Sequence, residues 1–277
     1  MKQLKKVAGV VFSSPVYAFS VLFLIVLVAL SLAAPWFSLD PNATNVSNMS
    51  QPPSFAHWFG TDEVGRDYFI RVVYGGRVSL LVGLLAMLTA TSIGTVVGLV
   101  SGYFGGWVDN VLMRILDVLS AIPWLVLVIV LSVFLKPGLT TIIIVIGCFS
   151  WMSIARLIRG ETLSAKEREY VLYAQFIGQP TRKILFKHIF SAVLPTLIVA
   201  ASASISGAIM TESALSFLGM GIQQPMASWG SLLQNAQSSL QRAPHMAILP
   251  GLFVVFTVYS FNNLGDLIKA ILQREGE

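Results

Sequence analysis

Apolar stretches of roughly 20 residues recur along this chain, and that length suits the ~30 Å hydrocarbon core of a bilayer better than the interior of a soluble domain. Six stretches qualify: 16–37, 78–100, 111–135, 139–157, 191–211 and 248–268. In lipid, backbone groups must bond within their own segment, which selects helices. None of the stretches alternates as a barrel strand would. Charge is scarce as well, at 11% of residues against about 25% in soluble domains, and it clusters between the stretches. The predicted fold class is all-α and polytopic, with six transmembrane helices. The first stretch follows Lys2, Lys5 and Lys6 and ends near Ser31-Leu32-Ala33, mimicking a secretory signal. It exceeds the roughly 7–15 residues of such a signal's apolar region. The expectation is an uncleaved span, with cleavage the alternative.

Lysine and arginine set the orientation, because they are retained on the cytoplasmic side. With the N-terminus inside, the inner side holds Lys2, Lys5, Lys6, Arg114, Arg156, Arg159, Lys166, Arg168, Arg182, Lys183, Lys187, Lys269 and Arg274. The outer side holds Arg66, Arg71, Arg77, Lys136 and Arg242. The count is 13 against 5, which predicts both termini cytoplasmic. The formal net charge of +5 is thereby concentrated beside the membrane, and no nucleic-acid partner is expected. Trp36, Trp107 and Trp151 fall near span ends, where amphipathic rings prefer to sit, whereas Trp124 is deeper. The lone cysteine, Cys148, excludes a disulfide framework and cysteine metal sites.

Small residues recur every fourth position through the second stretch, at Ala86, Ala90, Gly94, Gly98, Gly102 and Gly106. That spacing places them on one helix face, where another backbone can approach closely. Close packing and a moving interface are the two readings. The fifth stretch carries Ser202, Ser204, Ser206 and Gly207, whose hydroxyls could line an aqueous path or bond their own helix. Glu212, at its outer end, is a candidate gate or a hydrogen-bonded structural residue. Pro123 is expected to kink the third stretch. Arg114 and Asp117 are expected to neutralise each other. In the outer loop 38–76, three Asn-x-Ser/Thr triplets read as a polar linker. Asp62–Arg66 and Asp67–Arg71 read as i,i+4 pairs on a short surface helix.

The cytoplasmic stretch 156–188 holds seven basic residues and is too long for a simple turn. It reads as two short helices, 170–177 and 181–189, separated by a Gly178 cap and a break at Pro180. The first is a plausible docking knob for a partner. The second is amphipathic and could instead lie on anionic lipid.

At this point a resemblance emerges. Glu169-Tyr170-Val171-Leu172-Tyr173-Ala174, with Gly178 and then Leu194-Pro195, resembles the EAA loop of bacterial ABC importer permeases, with Leu172 and Tyr173 where that loop usually holds Glu and Ala. Three further segments resemble the peptide/nickel branch of that family. They are His57 to Asp67 with Arg77-Val78-Ser79-Leu80, then Glu212 to Gly221 with Ser228-Trp229-Gly230, then Phe261 to Asp266. The resemblance implies an ABC type I importer permease fold in a bacterial cytoplasmic membrane. It implies an N-terminal segment 1–77 and a five-span core 78–277 with a coupling loop 158–190. Glu169, Tyr170, Val171, Tyr173, Ala174 and Gly178 would meet the ATPase, and Ser202, Ser206 and Glu212 could belong to the path or gate. The implied partners are a second homologous permease, two ABC ATPases and an external substrate-binding protein. Peptides are the expected cargo, with nickel or metal chelates as the alternative. No Walker A motif is present, so ATP and Mg²⁺ are expected on the partner ATPases, and this chain is expected to carry no cofactor and no enzyme activity. A channel or secondary transporter acting alone is the rival from another class.

Overall fold

The computed structural model describes residues 9–37 and 39–275. Lys2, Lys5, Lys6 and Ser38 lie outside the described residues. Within them the chain is helical, and the pairing of Thr61 with Asp67 is an isolated bridge. Among the described residues from Pro15 on, nine main helices are α1 Pro15–Ala33, α2 Tyr68–Phe104, α3 Gly106–Ser120, α4 Trp124–Phe134, α5 Leu139–Lys166, α6 Glu169–Phe176, α7 Thr181–Phe217, α8 Trp229–Ala236 and α9 His245–Glu275. Among the described residues, five helices are long and apolar enough to cross a membrane, namely α1, α2, α5, α7 and α9. The third expected span is not one helix. Pro123 takes an extended ψ of 115° and caps α4, so α3 and α4 are separate pieces rather than a kinked rod.

The α2 helix is the longest departure from the expected bounds. It starts ten residues before the apolar run, because Asp67 caps it by accepting a hydrogen bond from the Ile70 amide at 3.1 Å. Its 37 residues reach about 55 Å at 1.5 Å per residue. The boundary expected at 77/78 therefore falls inside a continuous rod. The helix is inserted against α5 along the small-residue face. A side chain at Gly98 would begin 2.7 Å from the Ala155 carbonyl oxygen, and one at Gly94 would begin 2.8 Å from that of Trp151. Gly102 faces Thr162, and from the other side Gly147 of α5 faces Thr89. The stripe is thus a packing seam. Gly106 is not part of it, since it lies in open space beyond the Gly105 turn.

The outer helices attach by different means. Phe19 and Phe23 of α1 meet Phe253 and Phe256 of α9, with ring centroids 5.9–6.4 Å apart. Asn263 of α9 also donates to the Ser20 hydroxyl at 3.1 Å. The bundle has two distinct ends. Loop 39–67 and α8 occupy one end, and α6 projects at the other.

The seam makes a direct prediction. Gly98→Ala adds a methyl group where a carbonyl already sits, and overpacking of this kind costs about 1–3 kcal/mol. Gly160→Ala on α5 meets open space. Thermal unfolding in detergent should fall for the first variant and hold or rise slightly for the second. Equal melting temperatures would remove the seam from the account.

Candidate functional site

The α6 knob is built on a stiff base. Its first residue follows α5 by a two-residue turn, and its last turn closes with two bonds. The Gln179 amide donates to the Ala174 carbonyl and the Gly178 amide to that of Gln175, both at 3.0 Å. Gly178 sits at φ +71°, where the left-handed conformation favours glycine. Pro180 then caps α7. The expected free helix 181–189 is instead the first stretch of α7, wound as a π-helix over Ile184–Ile189. The non-helical connection and α6 together therefore occupy 167–180 rather than the expected 158–190, because α5 and α7 claim its ends.

Burial divides the six residues proposed for ATPase contact. Val171 and Ala174 face inward, clustered with Ile184, Ile189 and Val193 of α7. Glu169, Tyr170, Tyr173 and Gly178 face out. Sequence reasoning left Phe176 and Ile177 out of this set, and also Leu172. All three are exposed, Phe176 at 88% and Tyr173 beside it at 65%. The signal was present. A short helix with apolar residues on every side can bury only one face against its own chain. The His188 ring lies near Gln179 Oε1 at 3.3 Å and beside the Tyr170 ring.

Two ties hold the knob's support. Lys166 Nζ donates to the Tyr103 carbonyl at 2.7 Å. Arg159 grips Asp109 with two bonds of 2.5 and 2.6 Å. These hydrogen bonds hold the Asp109 carboxyl below its usual range. Asp117, expected to pair with Arg114, pairs with Arg156 at 3.1 Å instead.

Further along α7, the candidate path residues are engaged in packing. Ser202 bonds its own helix at the Ile198 carbonyl, and Ser206 donates to the Val258 carbonyl of α9 at 3.2 Å. Glu212 is fully buried. Its two oxygens accept from Ser79 Oγ at 2.9 Å and Ser216 Oγ at 2.7 Å. Ser79 also receives the Trp229 amide at 3.3 Å. Ser216 receives the Ile222 amide at 3.0 Å, and the Trp229 indole reaches the Val72 carbonyl at 3.0 Å. One carboxylate thus joins α2, α7 and the buried helix α8.

Loop 39–67 is organised by Asp62 rather than by a surface helix. Asp62 accepts from the amides of Val64 and Arg66 and from Arg66 Nε at 2.6 Å. Asp67 pairs with His57 at 2.8 Å, not with Arg71. Tyr68 donates to the Met246 carbonyl at 2.6 Å, tying α2 to α9. Among the described residues, no group of three His, Cys, Asp or Glu side chains is placed to hold a metal ion.

Comparison with known proteins places this geometry in context. A family model described as the binding-protein-dependent transport system inner membrane component matches residues 94–275. The oligopeptide transport system permease protein OppC of Bacillus subtilis (strain 168) is 40% identical over 252 residues, spanning 91% of this chain and 83% of that protein. OppC of Escherichia coli (strain K12) is 42% identical over 255 residues, spanning 91% and 84%. The glutathione transport system permease protein GsiD of Pectobacterium atrosepticum is 39% identical over 255 residues, with the same coverage. Among solved structures, an inward-facing MetNI methionine ABC transporter chain aligns with a TM-score of 0.62 and 18% identity, covering 73% of this chain and 97% of that one. This last likeness speaks for the fold alone.

Both kinds of tie can be tested. Glu212→Leu should destabilise the fold, since each buried donor stripped of its acceptor costs about 1–3 kcal/mol. Glu212→Gln, with similar shape and one remaining acceptor, should cost less, and thermal unfolding in detergent would rank the two. For Asp109, a lowered folded pKa means that the bond's contribution is complete above about pH 4 and disappears as pH falls through the folded value. Asp109→Asn should lower the melting temperature at neutral pH and flatten its decline in acid.

Proposed function

This chain belongs to the binding-protein-dependent transport system inner membrane components, and we propose that it is the permease subunit of an ATP-driven ABC importer for peptides. The observation carrying the reading is the α6 knob, an exposed apolar face seated on a braced base at one end of a membrane bundle. Tyr170, Leu172, Tyr173, Phe176 and Ile177 are all exposed there. A lone bundle has little reason to hold such a patch in water, and contiguous apolar surface of this kind marks an interaction site. Aromatic anchors are also the side chains that most often dominate binding energy. In our reading, two ABC ATPases receive such knobs, one from this chain and one from a second homologous permease. ATP and Mg²⁺ act on those ATPases, and this chain performs no catalysis and holds no cofactor. A substrate-binding protein delivers cargo at the end formed by loop 39–67 and α8.

Topology follows the same reading. The knob end is cytoplasmic, as the lysine and arginine count favours, so both termini are inside a bacterial cytoplasmic membrane. Pieces α3 and α4 together make the sixth crossing, broken at Pro123. Helix α1 and loop 39–67 precede a five-span core that begins with α2. Peptide cargo is supported by the named relatives, which carry oligopeptides and glutathione, itself a small peptide. Ser202, Ser206 and Glu212 serve helix packing rather than a gate, given the partners each already holds.

Replacing an outward anchor tests the docking claim without disturbing the fold. Phe176→Asp should leave thermal stability unchanged but weaken retention of the ATPases by at least about tenfold, the scale of a binding hot spot. Peptide uptake in proteoliposomes should fall with it. Full ATPase retention and full uptake by this variant would sink the proposed role of the knob.

A further inference from the structure

A half-open cavity of about 350 Å³ lies beside the end of α2 nearest loop 39–67. Arg71, Tyr74 and Arg77 supply its polar side, and Val78, Leu81 and Leu139 its apolar side. Arg71 is 1% exposed, yet its hydrogen bonding is incomplete. Its Nη1 donates to the Pro41 carbonyl at 3.1 Å and to Asn42 Oδ1 at 3.4 Å. Nε and Nη2 have no hydrogen-bond partner. Asp62 stands 3.6 Å from Nε, too far for a hydrogen bond, and its oxygens are already committed to Arg66 and Val64. A buried guanidinium with idle donors is costly unless something accepts from it. Arg77, six residues along the same helix, is exposed and lines the same space.

We propose that this cavity binds the phosphate of a membrane lipid headgroup. The depth fits. The apolar run 78–100 extends about 35 Å at 1.5 Å per residue, close to the ~30 Å hydrocarbon core. Arg77 then marks the boundary, and Arg71 lies about 9 Å further out, so the two cations bracket the headgroup layer. The chemistry fits as well, because a planar guanidinium offers paired donors to phosphate oxygens. The apolar side continues the cavity toward the bilayer, with Leu81 exposed, and gives acyl chains a wall that a soluble phosphate would not use. The site depends only on α2 standing in a membrane, not on which side is cytoplasmic and not on the importer reading.

The test uses the full chain purified in mild detergent with the partners that accompany it, and native mass spectrometry with added phosphatidylglycerol. Wild type should retain the lipid, and inorganic phosphate at millimolar concentration should not displace it. Arg77→Gln, at an exposed position, should reduce retention about fivefold, the effect expected of one cation near an anionic surface. Arg71→Gln should reduce it at least as much where the protein remains monodisperse. Arg242→Gln, an exposed cation outside the cavity, should behave as wild type. Undiminished lipid retention by Arg77→Gln would overturn the proposal. So would displacement by inorganic phosphate, which would assign the site to a soluble anion, or an equal loss in Arg242→Gln, which would reduce the effect to general charge.

Discussion

The close approach of α2 and α5 is the contact around which the remaining helices are arranged. In lipid, burying an apolar side chain against a neighbour gains little over burying it in acyl chains, so helices associate through backbone proximity and buried polar bonds. The Gly94, Gly98 and Gly102 positions supply the proximity, each leaving less room than a methyl group needs. Gly147 repeats the device from α5. Once these two rods are joined, α5 delivers the knob at one end and α2 presents Ser79 and Val72 at the other.

Buried polar bonds then complete what proximity begins. Glu212 would be expensive at this depth without partners, and it is surrounded by donors that come from separate elements. Ser79 belongs to α2 and Ser216 to α7, while the Trp229 amide that reaches Ser79 opens α8. Close approach contributes here too, since a side chain at Gly230 would begin 2.5 Å from the Ser213 carbonyl. Two of the segments that suggested the family from sequence, 212–221 with 228–230 and 77–80, therefore converge on a single structural knot.

Much of this is legible in the sequence. Apolar length locates the five helices long enough to cross a membrane, four-residue spacing reveals the seam, and Gly178 announces the end of α6. What stays hidden has a common cause, namely that it depends on partners distant along the chain. The residues preceding Val78 read as an outer loop with a short surface helix reaching Arg71. They are helical because Tyr68 and the Val72 carbonyl find partners on Met246 and Trp229. The stretch around α8 is polar enough to suggest solvent, yet its serines cap the helix internally. Local charge spacing pairs Asp67 with Arg71 and Asp117 with Arg114, while the fold pairs them with His57 and Arg156. Spacing along a helix cannot anticipate such contacts when the helix itself is absent or another element comes closer.

The placement of the knob also bears on how force could pass through the proposed importer. Val171 and Ala174 of α6 press on the π stretch of α7, and α7 continues without a break to Glu212. Its 37 residues make a rod of about 55 Å whose far end is tied to α2 and α8. The π stretch sits directly under the knob, where the helix departs from regular α geometry. Lys166 and Arg159 hold the α5 side to Tyr103 and Asp109. In the proposed importer, force applied at the knob therefore has one continuous helix, α7, between it and the packed carboxylate at the opposite end.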